Sequence, residues 1–289
     1  MAFAAGGPAD VMARLVGNHL STVLGQPIVV ENRPGAGGTI GARAAADAEA
    51  DGYTLLLGNT STLVIGPALY RQAGYDPAKA FAPIAMLGTT SNVLVVNNGF
   101  AAKSVSEVIA TGKANPGKLN YSSPGIGTPP HLIGEMFKLK AGVDIQHVPY
   151  KGGGPSIQAV VAGEVQMTFE NPAVSLPLVQ GQQVRALAVT SEQRNPQAPD
   201  VPTMIESGLT DFVSVSFTGI VAPAGTPADI VARLNRAVNE SLKTAEIDAA
   251  FTRLGVEKRI GSPEDFVTFL ARERERWSAV IKAADIKAD

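Results

Sequence analysis

The residues best suited to chemistry lie in the segment Asn120–Gly142. A few residues at its start lead into a turn rich in glycine and hydroxyl side chains. Gly125 and Gly127 have no Cβ, so the backbone can turn sharply and a ligand can approach it closely. Thr128 adds a hydroxyl, and two prolines then open a helix at positions where a missing N–H is tolerated. The first N–H groups of a helix lack intrahelical partners and lie at the positive end of its dipole. This turn is therefore predicted to bind something small and negative.

Three further strand-to-helix turns share this composition, namely Ala4–Asp10, Gly58–Thr62 and Lys151–Ser156. In open α/β sheets, ligands bind at the carboxyl ends of the strands, where such turns converge. Glycine and proline also punctuate ordinary βα units, so any single turn is equally well explained by chain reversal. Four such turns in one chain favour a ligand cleft.

Three polar side chains in or beside these turns have two interpretations each. Asp10 lies in the first turn of a helix, where the dipole alone favours an acid. His131 could donate to an anion or stack on a ring, or it could simply pack at the helix start. Glu170 ends a half-buried strand and could accept a hydrogen bond from a ligand or from its own turn. His19 and His147 have no partner pattern and are expected to be structural.

The composition excludes several classes of function. A net charge of −2 over 289 residues provides no basic field for nucleic acid and no polybasic patch for a membrane. The chain has no cysteine, which removes thiol catalysis, zinc–thiolate sites and disulfides together. Three scattered histidines make a metal site unexpected. No run of residues approaches the ~18 apolar positions typical of a membrane span.

Catalytic signatures are missing from the sequence as well. There is no G-x-S-x-G nucleophile elbow and no Walker-type phosphate loop. The turn Gly35–Gly41 follows a strand and suggests a dinucleotide site, although its third glycine is one position late for G-x-G-x-x-G; a nicotinamide-dependent enzyme is therefore one alternative. A cleft rich in backbone donors and poor in paired acids and bases suits a protein that holds its ligand unchanged. We therefore expect no enzyme activity and no cofactor.

Strands alternate with helices along the chain, which predicts an α/β fold with mostly parallel sheets flanked by helices. The predicted strands include Ile28–Val30, Tyr53–Leu57 and Phe212–Ala222, and a long apolar stretch lies within Ile84–Asn97.

Helix starts carry their own signals. Ser104 with Glu107 forms a capping box. Thr226-Pro227 and Ser262-Pro263 each combine a hydroxyl cap, a proline at the first helical position and an acid in the first turn.

Four motifs of this chain resemble those of the tripartite tricarboxylate transporter solute receptors, also called Bug proteins. They lie, in chain order, at Phe3–Asp10 (FAAGGPAD), Val29–Gly41 (VVENRPGAGGTIG), Gly127–His131 (GTPPH) and His147–Gly154 (HVPYKGGG). Each motif is weak alone, and the set is specific because it runs in order across essentially the whole chain. The resemblance implies a two-lobed, hinged periplasmic binding protein of type II that delivers a small carboxylate to a membrane permease.

The resemblance also implies which residues bind the ligand. Family members grip a carboxylate through the first βα turn and the Gly-Thr-Pro-x-His turn, and a polar turn helps to hold the far end of the ligand. Carried over by motif, the implied ligand-binding residues are Phe3, Ala4, Gly7, Asp10, Thr60, Ser61, Gly125, Gly127, Thr128 and His131. Glu170 is a further candidate, at a position where many relatives have Asp.

Residues 1–98 plus 217–289 are predicted to form one lobe and residues 99–216 the other, with the ligand cleft between them. The expected hinge crossings are Asn97–Gly99 and Ser216–Gly219. Closure about these hinges would surround the ligand with backbone donors and exclude water. The expected partners are a small carboxylate (a di- or tricarboxylate, an acidic amino acid or an aromatic carboxylate) and the permease subunits. We expect no nucleic acid partner and a monomer.

The resemblance implies a periplasmic location, with Met1 standing where relatives have a signal peptide and a full first strand. Either the mature form begins with a new start or the first strand is truncated. The same cleft would also serve a ligand-sensing partner of a two-component signalling receptor, and the sequence does not separate this alternative from transport.

Overall fold

The structure is a computed structural model that describes residues 1–3, 5–70 and 73–287. Over these residues the chain forms two compact units. The first consists of Met1–Thr89 and Phe217–Ala279, and the second consists of Thr90–Ser216 with the end of the last helix from Val280.

The helices and strands of the described residues are, in chain order, α1 (Pro8–Leu24), α2 (Thr39–Ala46), β1 (Leu56–Asn59), α3 (Gly66–Leu69), α4 (Pro77–Ala80), β2 (Phe81–Ser91), β3 (Val93–Asn97), α5 (Val105–Ala114), β4 (Leu119–Ser123), α6 (Pro129–Ala141), β5 (Ile145–Pro149), α7 (Gly153–Ala162), β6 (Met167–Glu170), α8 (Pro172–Gln180), β7 (Val184–Val189), β8 (Val215–Pro223), α9 (Ala228–Ser241), α10 (Ala245–Arg253), β9 (Glu257–Lys258) and α11 (Pro263–Ala283). A 3₁₀ turn (Ala36–Gly38) precedes α2, and a π-helical turn (Ser61–Ile65) follows β1. Within the described part of the chain, no helix is long and apolar enough to cross a membrane.

The sheet of the first unit has the strand order β1-β8-β2-β9 among the described residues. β1 pairs antiparallel with β8, and β2 pairs antiparallel with β9. These pairs differ from the mostly parallel pairing expected for both sheets. The apolar faces of α1, α9 and α10 bury Leu20, Val238 and Phe251 in one core with Ile84 and Leu87 of β2.

The sheet of the second unit has the strand order β5-β4-β6-β3-β7 among the described residues. β4 runs parallel to both of its neighbours, whereas β3 is antiparallel to β6 and β7. Helices cover both faces of this sheet. Successive residues of β4 point to opposite faces and therefore contact different helices. Tyr121 lies against Gly134 of α6, whereas Ser122 is bonded to Ser156 of α7. The expected α/β architecture is therefore present, and three parallel strands end at one edge of this sheet.

The apolar stretch within Ile84–Asn97 forms two strands in two different sheets. Asn92 separates them: its N–H donates to Thr190 Oγ1 at 2.8 Å and its Nδ2 donates to Phe169 O at 3.2 Å. The first boundary between the units accordingly lies between Thr89 and Thr90, earlier than the expected crossing at Asn97–Gly99. The second lies between Ser216 and Phe217, within the expected range.

The predicted strand Ile28–Val30 is extended but pairs with no strand of the described residues, so this prediction was wrong. The Ile28 N–H donates instead to Ser21 Oγ at 2.9 Å, and Val29 is 86% exposed. An apolar run becomes a strand only where a neighbouring edge is available, which depends on residues far away in the chain. The next strand, predicted at Tyr53–Leu57, begins three residues later, at Leu56.

Two of the three helix caps predicted from local sequence are present in the structure. Ser104 Oγ accepts from the Glu107 N–H and caps α5, and Ser262 with Asp265 forms a reciprocal box at α11. Thr226 does not cap α9, because its hydroxyl donates to Pro223 O at 2.8 Å and the helix begins only at Ala228.

Candidate functional site

In the first unit, Asp10 holds the turn that precedes α1. Its Oδ2 accepts from the Gly6 N–H and from Arg14 Nε, each at 3.0 Å, and its Oδ1 accepts from Asn32 Nδ2 at 2.9 Å. These bonds, that from Arg14 foremost, hold the pKa of Asp10 well below its usual range. Both carboxylate oxygens are engaged by the protein. Asp10 therefore positions the turn, and its contact with a ligand stays a prediction.

Asn32 extends this clamp to the backbone of the same turn. Its Nδ2 also donates to the Phe3 carbonyl at 3.0 Å, and its Oδ1 accepts from Arg14 Nη2 at 3.0 Å. Gly7 is the N-cap of α1, and its carbonyl accepts from the Val11 N–H at 3.0 Å. Asn32 was not predicted from the sequence, because its bonds join residues that are distant in the chain.

Thr60 and Ser61 begin the turn after β1. Thr60 is buried and its Oγ1 accepts from the Phe217 N–H at 2.9 Å, so this hydroxyl serves the fold. The Ser61 N–H donates to Asn59 Oδ1 at 3.0 Å, and the Ser61 hydroxyl has no hydrogen-bond partner within the described residues. The remaining residue predicted for this unit, Ala4, lies outside the described residues.

The glycine turn Gly35–Gly41 packs against the protein itself. A Cβ on Gly38 would lie 2.7 Å from Thr62 Cγ2 and 3.1 Å from Phe3 Cζ. Glycine is needed there for close internal packing, which weighs against the dinucleotide-binding interpretation. The same packing brings the turn after β1 close to the residues that precede α1.

A cavity of about 560 Å³ in the first unit contains none of the predicted site residues. Its walls come from α1, α2, α9, the extended segment 26–31 and residues 51–57, and they include Val16, Leu20 and Leu57. It borders Leu57 of β1, and the charged residues Glu31, Asp51 and Arg233 also line it. The predicted ligand-binding residues therefore lie outside this cavity.

In the second unit, the parallel strands β5, β4 and β6 end side by side at Pro149, Ser123 and Glu170. The turns after β4 and β5 are bonded to each other. The Tyr150 N–H donates to Ser123 O at 2.9 Å, and the Gly152 N–H donates to Pro124 O at 3.1 Å. Two glycine-rich turns are thus fixed against one another at the carboxyl edge of the sheet.

Two hydroxyls close the turn after β4. Thr128 Oγ1 donates to Gly125 O at 2.7 Å, and Ser123 Oγ accepts from the Gly125 N–H at 3.1 Å. Because Thr128 uses its proton inside the turn, its hydroxyl is not the free donor that the sequence suggests. Gly125 and Gly127 have φ angles of 142° and 77°, which favour glycine.

Fewer backbone donors remain at the start of α6 than the sequence suggests. Pro129 and Pro130 have no N–H, and the Gly127 N–H donates to His131 Nδ1 at 3.1 Å. Within the part of the chain that the structure describes, the N–H groups of Ile126 and His131 have no partner. These two amides are what the turn can offer to a ligand from its backbone.

His131 is buried behind this turn, and its ring is stacked on that of His147 with 4.0 Å between the centroids. Because Nδ1 accepts from Gly127, the neutral ring carries its proton on Nε2, which has no partner among the described residues. Burial lowers the pKa of His131. Burial and then the nearby His131 lower the pKa of His147 to about 3. Both rings are therefore neutral at pH 7, and His131 Nε2–H is a donor suited to an anion.

Tyr121 continues the stack from the other side. Its ring lies 5.0 Å from that of His147, and its hydroxyl donates to Glu135 Oε1 at 2.7 Å. His147 Nε2 also lies 2.6 Å from Ser123 Oγ. His147, expected to be structural, thus supports the His131 ring. Its partners were not visible in the sequence because they come from a neighbouring strand and a helix.

Glu170 ends β6 with its side chain 5% exposed. Its Oε1 accepts from the Asn171 N–H at 2.8 Å, whereas its Oε2 is buried without a partner among the described residues. Burial raises the pKa of Glu170 to about 7, opposed by the Asn171 bond. This carboxyl group is therefore poised between its two protonation states near neutral pH.

The start of α7 lies next to Glu170. A Cβ on Gly153 would lie 3.7 Å from Glu170 Oε2 and 3.9 Å from Pro124 Cγ, while a Cβ on Gly154 would meet nothing within 4 Å. The N–H groups of these two glycines have no partner in the described ranges. This turn is glycine-rich in the sequence, but Gly153 and Gly154 were not among the predicted ligand-binding residues.

The structure thus brings together five predicted site residues of the second unit, Gly125, Gly127, Thr128, His131 and Glu170. It places the predicted residues of the first unit that it describes, Phe3, Gly7, Asp10, Thr60 and Ser61, in two turns of that unit. Within the described ranges, no three His, Cys, Asp or Glu side chains lie together as a metal site would require.

Comparison with known proteins agrees with the fold. The family description "Tripartite tricarboxylate transporter family receptor" matches residues 12–286. The protein BugT of Bordetella pertussis is 38% identical over 286 residues, which cover 99% of this chain and 88% of BugT.

Solved structures agree as well. A Rhodopseudomonas palustris protein with adipate is 35% identical with a TM-score of 0.83, over 99% of this chain and 95% of that one. MatC from the same species, with bound malate, is 34% identical with a TM-score of 0.79, over 96% of both chains.

A fold of this kind, with polar turns at the carboxyl ends of its strands, is that of the periplasmic binding proteins, which include solved structures similar to this chain. The match over nearly the whole length then settles the family. The chain belongs to the tripartite tricarboxylate transporter receptor family, a family of solute-binding receptors.

Proposed function

We propose that this protein is a periplasmic receptor that captures a small carboxylate and delivers it to the membrane subunits of a tripartite tricarboxylate transporter. One observation carries the proposal. At the carboxyl edge of the second unit's sheet, several donors without a partner among the described residues lie in turns that are fixed to one another. They are the N–H groups of Ile126, His131, Gly153 and Gly154 and the Nε2–H of His131. Oriented amides at helix starts stabilise an anion without requiring a basic side chain.

The relatives support the carboxylate class. Adipate and malate occupy two solved structures that share about a third of their residues with this chain. The family description supports delivery to a transporter. The prediction that turns of the first unit hold the far end of the same ligand, and that the units close on it about the two crossings, remains part of this proposal.

The test is a thermal-shift and calorimetric screen of di-, tri- and aromatic carboxylates, with nucleotides and inorganic phosphate as controls. A true ligand at about 100 times its Kd adds roughly 2.7 kcal/mol to the free energy of unfolding. His131→Ala removes the Nε2–H donor and is expected to weaken binding at least about fivefold, which corresponds to one hydrogen bond. A response to nucleotides and to no carboxylate would overturn the proposal.

A further inference from the structure

Glu170 holds a buried oxygen that the described protein leaves unpaired. Its Oε1 accepts from the Asn171 N–H at 2.8 Å. Its Oε2 has no hydrogen-bond partner among the described residues, although Glu170 is only 5% exposed. A buried polar atom without a partner destabilises the folded protein, because it has lost its bonds to water. Such a cost is commonly met at functional sites, where a ligand supplies the missing bond.

The space beside this oxygen is formed by atoms that can accommodate a ligand. Gly153 has no side chain, and a Cβ placed on it would lie in ordinary contact, 3.7 Å from Oε2. Next to it, Gly154 faces open space. The N–H groups of both glycines are unpartnered in the described ranges, so donors and one acceptor lie side by side.

The glycine N–H donors and the Glu170 acceptor would bind different groups of one ligand. The amides suit a carboxylate, but a carboxylate placed directly against an ionised Glu170 would be repelled. An O–H or N–H group beside the ligand's carboxylate would instead donate to Oε2. The site is therefore complementary to an acid that carries its own hydrogen-bond donor.

Ligands with and without such a donor are therefore expected to differ in binding free energy. A site that hydrogen-bonds a ligand O–H or N–H rejects the analogue that lacks it, because the buried acceptor then stays unpaired. A single buried hydrogen bond to a charged group contributes about 1.5–3 kcal/mol, which corresponds to a factor of roughly ten to a hundred in affinity.

We propose that Glu170 determines the ligand specificity of this receptor, by selecting small carboxylates that carry a hydroxyl or ammonium donor over the same carboxylates without one. This inference rests on the proposed function, because it names the substrate class of that same site. The shared chemistry is a hydrogen-bond donor, and an ammonium group adds attraction to the ionised carboxylate.

The experiment is isothermal titration calorimetry at pH 8 with matched ligand pairs. Succinate is compared with malate and aspartate, adipate with 2-aminoadipate, and benzoate with salicylate and anthranilate. The proteins are wild type, Glu170→Gln, and Glu275→Gln as a control for charge on the exposed side of α11. The amide of Glu170→Gln accepts from Asn171 with its oxygen and presents NH₂ to the ligand, so it removes the acceptor while keeping the shape.

In whichever series binds, the donor-bearing acid is expected to bind at least tenfold more tightly to wild type and to Glu275→Gln, and this preference is expected to vanish in Glu170→Gln. The hydroxy and amino members show which donor is preferred. Equal affinity of donor-bearing and plain acids for wild type would overturn the inference while leaving the carboxylate receptor intact. Binding of no acid in any series would overturn both. If Glu170→Gln does not fold, equal affinity of donor-bearing and plain acids for wild type still overturns the inference.

Discussion

At the residue scale, the Thr128 hydroxyl is one of the two that close the turn after β4. Thr128 Oγ1 donates to Gly125 O at 2.7 Å, which fixes the orientation of the neighbouring amides. Thr128→Val is expected to lower the free energy of unfolding by about 1 kcal/mol, the typical net value of one hydrogen bond. Affinity for the carboxylate should fall as well, because the amides lose their alignment. Urea unfolding and calorimetry measure the two effects.

Thr128→Ser is the matched control, since serine retains the hydroxyl at the same position. It is expected to remain close to wild type in both measurements. If valine and serine behaved alike, the hydroxyl would have no part in holding the turn.

A second prediction at the residue scale concerns how Glu170 makes the stability of the protein depend on pH. Its pKa is raised to about 7 by burial, so between its ordinary value and pH 7 the folded protein holds a proton that the unfolded chain releases. The contribution of Glu170 to stability is therefore lost as pH rises through 7. Glu170→Gln does not titrate, so its stability relative to wild type is expected to rise by roughly 2–3 kcal/mol between pH 5 and pH 8. Urea unfolding at both pH values measures it.

The lowered pKa values of His131 and His147 act in the opposite direction, because both rings must gain a proton on unfolding below pH 6.5. Their contribution is common to both proteins and cancels in the difference. A stability difference between Glu170→Gln and wild type that did not change with pH would contradict a raised pKa at Glu170.

At the element scale, α6 is seated on β4 through Gly134. A Cβ there would lie 2.1 Å from the ring of Tyr121, which is fully buried and stacks on His147. Gly134→Ala is therefore expected to destabilise the protein by about 1–3 kcal/mol or more through overpacking. Gly154→Ala adds the same methyl to α7 in open space and is expected to be neutral or stabilising by up to about 1 kcal/mol. Equal effects in thermal unfolding would show that the contact with Tyr121 is not tight.

The extended segment 28–31 makes another element-scale prediction. The N–H groups of Val29 and Val30 have no partner within the described residues, and the Val29 side chain is 86% exposed. Their amides are expected to exchange with solvent much faster than those of Ile220 and Val221, which lie in the paired strand β8. Hydrogen exchange measured by NMR tests this. Strong protection at Val29 and Val30 would mean that the segment pairs with another strand in solution.

The same elements show how far sequence reasoning reaches. The caps of α5 at Ser104 and of α11 at Ser262 are local and were predicted from neighbouring residues. The pairing of residues 28–30, the antiparallel insertion of β3 and the stacking of His147 on His131 depend on partners far away in the chain. The spacing of residues within one segment does not predict such distant partners. The glycine turns were found from composition, but which of their donors stay unpaired depended on prolines and side chains that bond within the turns.

At the scale of the whole molecule, each unit has its own sheet and core, and the candidate residues are divided between the units. Thr60 and Ser61 belong to the first unit, and Thr128 and His131 belong to the second. If one ligand engages both, a saturating carboxylate must slow hydrogen exchange in residues 58–62 as well as in residues 124–128 and 150–154. Exchange followed by mass spectrometry, with and without ligand, measures both regions in one experiment.

Ser61→Ala separates ligand contact from general stabilisation. The Ser61 hydroxyl has no partner within the described residues, so its loss should leave the stability of the ligand-free protein unchanged. If the hydroxyl contacts the ligand, the variant should bind about fivefold more weakly, as expected for one hydrogen bond. Protection confined to the second unit, together with an unchanged affinity of Ser61→Ala, would mean that the second unit alone recognises the ligand. The prediction that both units grip one carboxylate would then be wrong, although the site beside Glu170 would stand.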